Sequence, residues 1–311
     1  MCLPIMSKLD KIRVRAALTG PIASIRTPFN RDGSIDFDGV RSMIDFHIKA
    51  GCKTSLLTAG DSHFHCMTDD EIFEINKVVV EHTAGRALTV ACDWEFNTPQ
   101  AVECAKYCKS LGADILMARP ADWGASATMQ SLVEHYATLA DIMPLMFVNN
   151  IFGGRSGKFA LDTTKILLAR VPNMIAMKED MTSDVGRKTC LLANDQWAIF
   201  SGGGLRNHLD MHAYGCDGFM DRHMNFAPAV SYRYWKAIQR NDLAAARKVI
   251  REIEIPLEDF MGAMPGGRDA AVHGLIELAG VAGRWRRKPY YSLNDREMAR
   301  LKAFAKEMKL L

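Results

Sequence analysis

The sequence predicts a (β/α)8 barrel with a helical C-terminal extension, and three observations carry that prediction. Eight short apolar runs alternate with longer amphipathic stretches between residues 20 and 225. The runs are continuously apolar and do not alternate, as expected of parallel strands covered on both faces. Beyond the last run only helical patterns follow, over residues 226–239, 242–263, 268–281 and 293–309. Eight strand–helix units are what closes such a barrel. An open doubly wound sheet is the alternative, weakened because no G-x-G-x-x-G follows the first run. The expected organisation is an N-terminal extension (1–19), a barrel (20–225) and a C-terminal helical region (226–311).

The strands are expected, in order, at "PIASIRT" (21–27), "TSLLTA" (54–59), "ALTVAC" (87–92), "ADILMA" (113–118), "PLMFVNN" (144–150), "MIAMK" (174–178), "WAIFSG" (197–202) and "DGFMD" (217–221). Helical patterns lie between them. Residues 36–51 open with a capping Asp and close with Gly, and residues 68–85 open with Thr68 and Glu71 in capping-box spacing. Residues 98–113, 128–142, 161–171 and 204–215 continue the rhythm.

Composition narrows the function. The 311 residues are 48% hydrophobic and 24% charged, which is ordinary for a globular chain. A net charge of +3 gives no reason to expect a nucleic-acid or membrane partner. The basic stretch "GRWRRKPYY" (283–291) reads as a solvated loop or a subunit contact. Eight cysteines, from Cys2 to Cys216, include no C-x-x-C pair, and Cys104 and Cys108 are spaced poorly for zinc. The N-terminus lacks a secretory apolar core, and no run nears the ~18 apolar residues of a membrane span. A cytoplasmic protein with free thiols is the expectation.

Chemistry in such barrels gathers where strands end. The ends read here are Thr27, "TAGDSHFH", "ARPADW", "VNNIFGGRSG", Lys178 and "SGGG". Lys178 stands out. On a period-two strand Met174, Ala176 and Lys178 share one face, which would point into the barrel. Burial disfavours an ammonium and makes a neutral amine available for attack on a carbonyl. The other reading is an ion pair with an acid such as Glu179 or Asp61. His63 and His65 in "DSHFH" raise a metal-dependent hydrolase as a further alternative, although later strand ends are short of ligands. Gly202, Gly203 and Gly204 make a tight turn, with Gly202 a wall of the substrate site.

Taken together, "PIASIRTPFNRDGSID", "LLTAGDS", "PLMFVNN", "RSG", "MIAMKED", "SGGG" and "CDGFM" resemble, in order and spacing, the dihydrodipicolinate synthase / N-acetylneuraminate lyase family over nearly the whole chain. The resemblance implies a Schiff base between Lys178 and pyruvate or another 2-oxo acid. It implies no metal and no cofactor, and a homotetramer or dimer. It also implies substrate contacts from Thr58, Ala59, Val148, Asn149, Arg155, Gly202 and Met220. Two departures stand out. The family's proton-shuttling tyrosine aligns with Val148, and its carboxylate-binding hydroxyl with Ala59. The acid–base work is expected either to move to Asp61, His63, His65 or Asp122, or to pass through the substrate or a water. The expected function is a Schiff-base lyase, aldolase or dehydratase, with a non-standard proton relay. Its rival is a barrel of the same family that binds a ligand without turning it over.

Overall fold

The computed structural model describes residues 8–311; Cys2, the first of the expected free thiols, lies outside them. The described part of the N-terminal stretch is a helix, α1 (Lys8–Leu18). It turns Val14 and Leu18 inward and ties Arg15 to Asp217 at 2.6 Å. Eight strand–helix units follow: β1 (Gly20–Ile22), α2 (Phe37–Lys49), β2 (Thr54–Leu56), α3 (Asp69–Thr83), β3 (Leu88–Cys92), α4 (Thr98–Leu111), β4 (Ile115–Ala118) and α5 (Met129–Ala140). Next come β5 (Leu145–Val148), α6 (Gly157–Arg170), β6 (Met174–Glu179), α7 (Asp184–Ala193), β7 (Ala198–Ser201), α8 (Leu205–Met211) and β8 (Gly218–Met220).

All neighbouring strands are parallel, in the order β1-β8-β7-β6-β5-β4-β3-β2. The seam between β1 and β2 closes just past β1, where Ser24 bridges Leu56 and the Ile25 N–H donates to Leu56 O at 2.9 Å. This is a (β/α)8 barrel. Its strands are buried on both faces because helices cover the outside and side chains fill the inside.

Capping side chains set the starts of many helices. Asp36, Thr68, Asn97, Thr128, Ser156 and Ser183 each accept a backbone N–H from the first turn of the helix they precede. Ser156 is why α6 begins at Gly157, four residues before the expected start. The expected strand at 144–150 ends at Val148, and Asn149–Phe152 form a 3-10 turn. Helix α7 has no counterpart in the expected pattern. Its buried stripe is Gly186, Thr189, Cys190 and Ala193, at helical spacing but made of small residues.

After β8 come α9 (Pro228–Gln239), α10 (Leu243–Val249), α11 (Ile255–Gly262), α12 (Gly267–Leu278) and α13 (Asp295–Glu307). A single π turn, Ile250–Glu254, joins α10 to α11. These helices share a second apolar core, which takes in Met43, Leu205 and Phe219 from the barrel. The three arginines of 283–291 are tied to acids: Arg284 to Glu277, Arg286 to Asp269, and Arg287 to Glu71.

Candidate active site

Lys178 is the fifth residue of β6, in register with Val148 of β5 on one side and Phe200 of β7 on the other. The residue is 8% exposed, and its amine opens into a cavity of about 160 Å³ at the strand ends. Val148, Thr58, Ala59, Asp61, Cys92, Met117, Arg119, Asn150, Asp180 and Met220 line the same cavity. An adjoining cavity of about 120 Å³ shares Arg119 and Asn150 and is bordered by Glu95 and Asp122.

The acid beside the amine is neither Glu179 nor Asp61. Lys178 Nζ donates to Asp180 Oδ2 at 2.5 Å. The alternation of the strand explains this arrangement. Glu179 turns to the opposite face and is fully buried. Its Oε1 accepts the N–H groups of Met181 at 2.7 Å and Thr182 at 2.8 Å, and its Oε2 accepts from Asn149 Nδ2. Burial pushes the Glu179 carboxyl above its ordinary value, against the pull of these donors. Asn149 Oδ1 in turn accepts the Asp180 N–H at 2.8 Å. Thus Asn149 and Glu179 pin the turn that carries Asp180 back over the cavity.

Gly202 stands against this turn. A Cβ there would lie 2.0 Å from Asp180 Oδ1 and 3.6 Å from Lys178 Nζ. The backbone at Gly202 is not in the left-handed region, so it is the carboxylate and not the turn that excludes a side chain.

The other residues expected from the sequence divide sharply. Thr58, Ala59, Asp61, Val148 and Met220 border the cavity with Lys178. Asp61 takes a hydrogen bond from Ser24 Oγ at 2.6 Å and an ion pair from Arg26 at 3.0 Å. Burial would raise its carboxyl, but Arg26 and Ser24 outweigh that and hold it below the ordinary value. Asn149 does not reach the cavity, because its amide is used by Glu179 and the Asp180 N–H; Asn150 lines it in its place. Arg155 pairs with Asp122 at 2.5 Å and lies over the Phe159 ring, so its guanidinium is committed away from Lys178. Burial would lift the Asp122 carboxyl, but the Ala127 N–H and Arg155 hold it low.

The two histidines part company. His63 is buried, with Nε2 2.9 Å from Nε2 of His273 and 3.7 Å from Asp269. Burial takes it down to about 4, so it is neutral at pH 7. His65 is exposed and packs edge-on to Trp94. The pair therefore does not converge on one ion. The one cluster with metal-ligand spacing among the described residues is His63, Asp269 and His273. Asp269 in that cluster is already held by Arg26 and Arg286, two cations that oppose a third. Sequence reasoning missed Asp180, although the rule that turns Lys178 inward turns residue 180 the same way. It also missed Arg119, which pairs with Glu95 at 3.0 Å and lies over Trp94.

A sequence model described as "Dihydrodipicolinate synthetase family" matches residues 17–308. The 4-hydroxy-tetrahydrodipicolinate synthase of Nitrosospira multiformis is 27% identical over 283 residues, covering 90% of this chain and 92% of its own. N-acetylneuraminate lyase from Fusobacterium nucleatum superposes with a TM-score of 0.83 at 18% identity, over 94% of this chain and 99% of that one. A prophage protein of the dihydrodipicolinic acid synthase family from E. coli K12, solved in complex with pyruvate, gives 0.78 at 23% identity, over 94% and 99%. The last two similarities concern the fold.

Proposed function

The chain belongs to the dihydrodipicolinate synthetase family, a family of class I lyases that act on pyruvate, and from that premise we propose that it forms a Schiff base at Lys178 with pyruvate or another 2-oxo acid. One observation carries the reading: a single lysine at a barrel strand end opens into a small cavity. The amine attacks the keto carbon, water leaves, and the resulting iminium draws electrons from the neighbouring carbon. A carbon–carbon bond or a carbon–oxygen bond beside it can then be made or broken. The Thr58 hydroxyl and the backbone N–H groups of Ala59 and Gly60 are proposed to hold the substrate carboxylate. Val148 and Met220 form the apolar wall. Of the four acid–base candidates read from the sequence, Asp61 alone borders the cavity, and Arg26 keeps it engaged. A homo-oligomer stands with this reading as a proposal, decided by light scattering.

A second reading has an observation in its favour. An ammonium bonded to a carboxylate has no lone pair until a proton leaves, so the Lys178–Asp180 pair also suits a barrel that binds a 2-oxo acid without turning it over. One experiment separates the two. Incubation with pyruvate and borohydride, followed by intact mass and peptide mapping, is expected to give a reduced adduct on Lys178 and none in Lys178→Arg. No adduct with pyruvate or a panel of 2-oxo acids defeats the lyase.

A further inference from the structure

A Schiff-base lyase needs a group that moves protons at the carbonyl oxygen and at the carbon beside the iminium. Val148, directly opposite Lys178, has none to move. The remaining titratable groups around the cavity can be tested one at a time. Asp61 is bound by Arg26 and Ser24. Cys92 is fully buried, which pushes its thiol well up and keeps it protonated. Arg119 is paired with Glu95 and offers only hydrogen-bond donors. Asp180 is different. One of its oxygens touches Nζ, and the other fills the place that a Cβ on Gly202 would take. Its side chain is 20% exposed, on the cavity side, while its backbone is fixed by Asn149.

We infer that Asp180 is the acid–base residue of this site, supplying from the end of β6 the proton transfers that Val148 cannot supply from β5. The inference rests on the Schiff-base reading of Lys178. The carboxylate first takes a proton from the Lys178 ammonium, which frees the lone pair. Nitrogen attacks the keto carbon and the carbonyl electrons move to oxygen. Asp180 gives its proton to that oxygen and then takes one from the new N–H, leaving a neutral carbinolamine and a protonated acid. It next protonates the hydroxyl, which departs as water, and an iminium faces a carboxylate once more. That carboxylate takes a proton from the adjacent carbon, yielding the neutral enamine and the acid. Charge and protons balance at each step, and no further reagent is required. Both oxygen and carbon are one bond from the atom bonded to Nζ, so a carboxylate 2.5 Å from Nζ reaches each by a small rotation.

Gly202 supports the assignment independently. Its missing Cβ is what admits Asp180 Oδ1, at a distance no real side chain tolerates. A purely structural ion pair would serve equally with the carboxylate turned elsewhere.

The test uses the full chain and pyruvate as the probe, in deuterated water. Proton NMR follows exchange of the methyl hydrogens, and borohydride trapping measures the fraction of enzyme carrying the adduct. The wild type is expected to trap at Lys178 and to exchange. Asp180→Asn is expected to trap after long incubation, with exchange per trapped adduct down by ~10² to 10⁴, the usual worth of a general acid–base group. Asp180→Glu restores at least a tenth of it, and Gly202→Ala loses about tenfold by displacing the carboxylate. Circular dichroism establishes that each variant is folded. Unchanged exchange per adduct in Asp180→Asn overturns the inference and leaves the Schiff base standing, as does a wild type that traps but never exchanges. A folded Asp180→Asn that does not trap supports it only if Asp180→Glu traps, and otherwise overturns it. Failure of the wild type to trap any 2-oxo acid overturns both readings together.

Discussion

Replacing Asn149 by Ala is expected to destabilise the protein by about 3–5 kcal/mol, through the turn that carries Asp180. Asn149 is fully buried and makes two bonds, one to the buried Glu179 carboxylate and one from the Asp180 N–H at 2.8 Å. The first is charge-assisted, and such bonds contribute about 1.5–3 kcal/mol. The second leaves a partly buried N–H without its acceptor, at a cost of about 1 kcal/mol or more. The remaining increment comes from the space left by the amide, of order 1 kcal/mol. Urea unfolding at pH 7 measures the loss as a shift in midpoint at constant slope. The cycle with Glu179→Gln isolates the pair, because the two residues share a bond and their effects should not add. A coupling of at least ~1 kcal/mol is expected. A total loss below about 1 kcal/mol, or additive effects, would refute the claim that Asn149 is a strut of this turn and not a substrate ligand.

Acid should unfold this barrel early. Burial holds His47, His63 and His135 at about 4 and His208 at about 3, and all four are neutral at pH 7. Their folded values lie below the unfolded one, so stability is present above about 6.5 and is lost as pH falls toward 4. At pH 4.5 each removes about 2–3 kcal/mol and the four together about 10. Asp93, raised by burial to about 7, acts oppositely and returns about 3, for a net loss of about 7 kcal/mol. Urea midpoints from pH 7 to 4.5 test this, and a flat profile contradicts it. For the cluster of His63, Asp269 and His273, elemental analysis is expected to find no stoichiometric metal, and EDTA should leave the melting temperature unchanged. A bound ion whose removal lowers that temperature would show that the neighbouring arginines do not exclude it.

The architecture was legible because it is written in runs. Apolar strands such as "LTVAC" and "MIAMK" are buried on both faces and read as such, and the helices with Asp or Thr caps announce their starts. Helix α7 was invisible because its inner stripe is built of Gly, Thr, Cys and Ala, which fill a narrow space without a hydrophobic signal. The site was legible where it follows strand period, as at Lys178, and obscure where a side chain is claimed by a neighbour distant in sequence. Asp122 answers Arg155, 33 residues away, and His63 answers His273, 210 away. No local pattern contains those pairings. Asn149 and Asn150 are adjacent and identical in type, yet the 3-10 turn sends one to Glu179 and the other to the cavity.

The same distinction bears on whether a valine at position 148 means loss of chemistry. A carboxylate beside the amine is compatible with a barrel that only binds, but binding does not require that carboxylate to be held at one position. An idle Lys–Asp pair in a cavity costs desolvation that exposed pairs avoid and returns little stability. Here the pair comes with a glycine that makes room for it and with a buried Asn–Glu strut that fixes its turn. Three separate strand ends, β5, β6 and β7, are adapted to one carboxylate position. That concentration of structure is expected when the carboxylate's placement matters to reactivity, since proton transfer demands hydrogen-bond distance and stability does not. On the proposed Schiff-base reading Val148 and Asp180 form one exchange: the proton that Val148 cannot give from β5 comes from an acid after β6, two residues beyond the amine.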